Sequence, residues 1–129
     1  VKEIKLANAS AESTDREALQ QSIDKYCNMK KIVSEGNFPI NTGEISCSLC
    51  QKYNHYGPDP GKYLGCIGCP IQNATGKIKC EGTPFHDIHV LSLAILKDPS
   101  LLDAKKRQFM SLCDLEIDFL EGIKKSLTV

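Results

Sequence analysis

The sequence predicts a mainly helical fold, a small bundle of about three helices carrying an insert of irregular and short β structure. Three observations lead there. Apolar residues recur at helical spacing on both sides of a middle segment rich in glycine, proline and cysteine. That middle holds five of the seven cysteines, and seven of the nine glycines lie after Gly36 and before Pro84. The length, 129 residues with 41% apolar side chains, suits one thin-cored domain that a metal clip would help to stabilise. The chain therefore reads as a single domain, 1–129, with residues 45–82 as the insert.

The elements follow in order. Ile4 and Leu6 alternate with charged residues and suggest a short strand or an unstructured lead. Thr14-Asp15-Arg16-Glu17 is a capping box, with a hydroxyl at the N-cap and a glutamate three residues on. Leu19, Ile23, Tyr26, Cys27 and Met29 or Lys30 continue at helical spacing, and Gly36 ends this helix near residue 34. From Asn37 to Gly82 turn residues dominate, above all in Asn54-His55-Tyr56-Gly57-Pro58-Asp59-Pro60-Gly61, and no helix is expected there. Thr83-Pro84 places an N-cap and an N1 proline before a second helix. Between Phe85 and Leu96 its apolar residues face every direction, which predicts a fully buried central helix. Asp98-Pro99 stops it, and Ser100 is the expected cap of the last helix, about Leu101 to Leu127. Leu102, Phe109, Leu112, Cys113, Glu116 or Ile117, Leu120, Ile123 and Leu127 form its inward stripe.

The chemistry-bearing pattern is Cys47-x2-Cys50, fifteen residues, Cys66-x2-Cys69, ten residues, then Cys80. A C-x2-C turn lets two thiolates converge on one ion, and two such knuckles complete a tetrahedral sulfur shell suited to Zn2+. The shell draws on Cys47, Cys50, Cys66, Cys69 and Cys80, either as both pairs or with Cys80 in place of Cys66. Two disulfides, or an iron–sulfur cluster, are the competing readings of the same thiols. An all-cysteine shell leaves zinc no open position, so the ion would be structural. His86, His89 and His55 are weaker candidates, because packed or surface histidines are commoner than ligands in such settings. Cys27 and Cys113 sit at apolar helical positions and read as buried thiols.

Composition narrows the function classes. Sixteen basic and sixteen acidic residues give no global field toward nucleic acid or anionic lipid, although residues 47–82 carry four positive charges against two negative. No phosphate loop, nucleophile elbow or H-E-x-x-H motif is present. An odd cysteine count, C-x2-C pairing and the charged opening VKEIK suggest a cytoplasmic protein, and no apolar run suggests a membrane span. Tyr53, Tyr56 and Tyr63 with Lys52 and Lys62 could stack nucleic-acid bases, but such tyrosines more often cover a metal knuckle. The free amides at Thr83-Pro84 could hold an anion such as a phosphate.

Cys47-Ser48-Leu49-Cys50-Gln51-Lys52-Tyr53, Cys66-Ile67-Gly68-Cys69-Pro70-Ile71, Thr75-Gly76 and Cys80-Glu81-Gly82-Thr83-Pro84-Phe85 together resemble a group of small uncharacterised phage and prokaryotic proteins. That group has the pattern C-x-L-C-x-x-Y, C-x-G-C-P-[VI], T-G, C-x-G-[ST]-P-[YF]. The match covers about residues 45–86, with a looser echo from Asp114 to Leu127. The resemblance implies that the five clustered cysteines act as a unit and points to a phage origin. It implies no catalytic residue.

The sequence thus leads to a non-enzymatic, zinc-stabilised binding protein of the phage accessory or host-interaction kind. Its partner is expected to be a protein or a second copy of the chain. Sequestration of a small nucleotide signal and nucleic-acid binding through the cysteine segment are the alternatives.

Overall fold

The structure, a computed structural model, describes residues 2–7, 14–40, 49, 53, 55–56, 63–65, 69–75 and 83–127. Three long helices dominate: α1 (Asp15–Ser34), α3 (Pro84–Lys97) and α4 (Leu101–Ser126), with a short α2 (Pro70–Thr75). Two small sheets accompany them. Strand β1 (Glu3–Lys5) pairs in parallel with β2 (Phe38–Ile40), and β3 (His55–Tyr56) pairs antiparallel with β4 (Tyr63–Gly65).

Local chemistry accounts for the ends of α1. The Thr14 hydroxyl accepts from the Glu17 amide while the Glu17 carboxylate accepts from the Thr14 amide, completing the predicted capping box. At the other end Gly36 takes φ 81°, its amide donating to Val33 O and the Asn37 amide to Ile32 O. This left-handed turn is the reason for glycine there. It also turns the chain back so that Phe38 pairs with Glu3, making β1–α1–β2 a parallel crossover unit. Leu6, directly after β1, and Phe38 of β2 enter the core.

Helix α4 is the centre of the bundle, because α1 and α3 both pack on it. Contacts along the α1–α4 seam join Gln20 to Lys124, Lys30 to Asp114, and the Ser34 carbonyl to Lys106. Rising numbers on one helix meet falling numbers on the other, so the two run antiparallel. Leu19, Ile23, Tyr26, Met29 and Val33 of α1 share one core with Leu102, Phe109, Cys113, Leu120 and Ile123 of α4. Phe109 meets Phe38 edge-on, ring centroids 6.3 Å apart, tying the parallel sheet to the bundle.

Several expectations need correction. Helix α3 is not the buried centre: it buries Ile88, Leu91, Ser92 and Ile95 against the core and leaves Val90, Leu93 and Leu96 outside. Its all-round apolarity reflects a second, outward stripe. A helix does form between Asn37 and Gly82, since Pro70 opens α2 and the Cys69 carbonyl accepts its first bond from the Asn73 amide at 2.9 Å. Ser100 holds the N-cap position of α4 as expected, but its side chain makes no cap bond to the helix; its amide and hydroxyl instead donate to the Asp98 carboxylate at 3.2 Å and 2.6 Å. Cys27 is exposed, whereas Cys113 is buried as expected.

Because Phe109 sits where the sheet and the bundle meet, Phe109→Ala should destabilise the chain by about 3–5 kcal/mol in urea unfolding. An effect below about 1 kcal/mol would show that this junction is not part of the core.

Candidate metal centre

Of the five predicted zinc ligands, Cys47, Cys50, Cys66 and Cys80 lie outside the described residues. Cys69 is described: it is buried and immediately precedes α2. Its neighbours show how the segment attaches to the bundle. Leu49, between the two cysteines of the first pair, is 1% exposed and belongs to the same core cluster as Cys69 and Ile71. Helix α2, which Cys69 directly precedes, rests on α4. Tyr53, three positions after Cys50, donates its hydroxyl hydrogen to the Asp15 carboxylate at the start of α1.

Between the pairs, β3 and β4 align His55 with Gly65. The residue five positions after Cys50 therefore faces the residue that directly precedes Cys66. A hairpin between two C-x2-C turns is a common way to return the second turn toward the first. The chemistry of a buried thiol at Cys69 suits a thiolate ligand, which would offset the ion's charge in a poorly solvated place. Among the described residues, no group of three or more His, Cys, Asp or Glu could hold a metal ion.

Of the histidines, His86 is exposed in the first turn of α3. His89 is half-buried and stacks on Phe85, rings 5.7 Å apart and 21° from parallel. Its buried Nδ1 has no hydrogen-bond partner among the described residues. His55 lies in β3. Tyr53 is half-buried against the core and hydrogen-bonded to Asp15.

A functionally placed residue that sequence reasoning did not single out is Glu116. It lies on the inward stripe of α4, 1% exposed, and its Oε2 accepts from the Phe85 amide at 3.1 Å. The Thr83 hydroxyl shares that amide at 3.2 Å. A carboxylate at a helix N-terminus meets unsatisfied amides and the positive end of the helix dipole. The protein's own side chain thus takes the Phe85 amide at the place where a bound anion was considered. The only sequence sign was an acidic residue at an apolar stripe position. Glu116→Ala should cost about 2–3 kcal/mol, and Glu116→Gln clearly less because its amide oxygen still accepts. Equal losses in urea unfolding would mean that the carbonyl-type acceptor is not what matters.

Cys113 shows the reverse chemistry. Burial pushes its thiol up to about 12, Asp114 and Glu116 add to the rise, and Lys30 opposes it. Lys30, ion-paired with Asp114, is itself raised, chiefly by that hydrogen bond. Cys113 therefore stays a neutral packing group. A thiol raised in the folded state from 9.0 to about 12 contributes stability below pH 9 and loses it as pH climbs through that window. The stability advantage of the wild type over Cys113→Ala should shrink as pH rises above 9, as read by urea unfolding at several pH values. An advantage independent of pH would contradict the shift.

No family model, curated protein or solved structure matches the chain. Among the described residues, no helix is long and apolar enough to cross a membrane.

Proposed function

We propose that the chain is a non-enzymatic, zinc-stabilised binding protein of the phage accessory or host-interaction kind. Its cysteine segment would hold one structural Zn2+ through four of Cys47, Cys50, Cys66, Cys69 and Cys80. The observation that carries this reading is the burial of one residue from each C-x2-C segment. Leu49 inside the first pair and Cys69 at the end of the second occupy one core cluster. Both segments thus reach the bundle, and a single tetrahedral ion would require them to converge there.

The anchored segment would then present contacts from a scaffold that neither propensity nor apolar content could order alone. A protein partner, or a second copy, fits this better than the alternatives. Tyr53 is engaged with Asp15 and the core, which takes one aromatic away from base stacking. Glu116 occupies the Phe85 amide, which weakens the case for a phosphate at the start of α3. Within this reading zinc supplies no chemistry beyond cross-linking the chain.

Elemental analysis of purified protein should give about one zinc per chain, lost together with structure on adding a strong chelator. Cys47→Ser should lower zinc content and thermal stability sharply, while Cys27→Ser, at an exposed helix position, should leave both unchanged. If the two substitutions behave alike, the division of the cysteines into ligands and bystanders is wrong.

A further inference from the structure

The outward side of α3 carries apolar surface that the core does not use. Val90, Leu93 and Leu96 stand 53%, 52% and 45% exposed. Their spacing of three residues places them in one stripe along nearly two helical turns. Asp87 in the first turn and Lys97 in the last are both exposed, so opposite charges stand at the two ends of the stripe, the adjoining Asp98 carboxylate being held by the Ser100 amide and hydroxyl.

We infer that this stripe is the contact between two copies of the chain, α3 lying antiparallel on α3 of the second copy about a two-fold axis near Leu93. The pattern is self-complementary, as a two-fold interface demands. Leu93 meets its own counterpart, and Val90 meets Leu96. At about 1.5 Å per residue, Asp87 lies about 9 Å to one side of Leu93 and Lys97 about 6 Å to the other. Antiparallel packing brings each Asp87 within about 3 Å, measured along the axis, of the other copy's Lys97. Parallel packing would set like charges level. The same pattern disfavours other occupants, since a lipid surface or nucleic acid would call for a cluster of flanking cations.

This inference rests on reading the chain as an interaction protein but not on zinc, so metal content measured in the same samples separates the two failures. Sedimentation equilibrium of the full chain is the test, run on the wild type, Leu93→Glu, Asp87→Lys and the double variant Asp87→Lys, Lys97→Asp. The wild type should dimerise at micromolar concentration. Leu93→Glu should weaken the dimer by at least about a hundredfold, with unchanged helical circular dichroism because the position is exposed. Asp87→Lys should weaken it roughly three- to tenfold, and the double variant should recover most of that loss. A wild type still monomeric at about 0.1 mM overturns the inference and leaves the stripe to a different protein or to the chain's own residues 41–68. So does a dimer indifferent to Leu93→Glu, or a double variant as weak as the single one.

Discussion

The fold depends on the inward stripe of α4. One helix of 26 residues offers a face wide enough for two neighbours, and α1 and α3 both use it. The hydrophobic drive is concentrated in Leu102, Phe109, Cys113, Leu120 and Ile123, while charged pairs at the seam's edge, such as Lys30 with Asp114, set register more than stability. Glu116 interrupts the apolar run for a reason the backbone supplies. The first turn of α3 needs acceptors for its amides, and α4 is the element that can bring one.

The cysteine segment depends on the same stripe. Leu49, Cys69 and Ile71 reach the core that α4 organises, and α2 rests directly on α4. Apart from cysteine, tyrosine and one alanine, the apolar side chains of residues 47–82 are only Leu49, Leu64, Ile67, Ile71 and Ile78, so the bundle would supply the floor on which thiolates could meet. In that account helices and metal divide the task. Burial fixes where the segment stands, and coordination fixes its shape.

Much of the helical framework was legible in the sequence because local signals and burial agreed. Thr14, Glu17 and Gly36 mark the ends of α1 through backbone hydrogen bonds that need no tertiary partner. What was misread depended on the third dimension. The apolar circumference of α3 cannot distinguish burial on all sides from burial on one side plus an exposed stripe, and the structure shows the second. Cys27 fits an apolar period yet falls on the exposed flank of α1. The parallel pairing of Glu3 with Phe38 spans the whole of α1 and leaves no local trace. Of the proposed metal site, spacing alone supplies the candidate donors. The anchoring role of Leu49 emerged only from its burial, because a leucine between two cysteines has no distinctive spacing.

X-ray absorption at the zinc edge of the purified protein tests the proposed centre most directly. The account predicts a single shell of four sulfurs at about 2.3 Å. A shell dominated by nitrogen or oxygen, or protein whose clustered cysteines are joined in disulfides with no zinc bound, would contradict it.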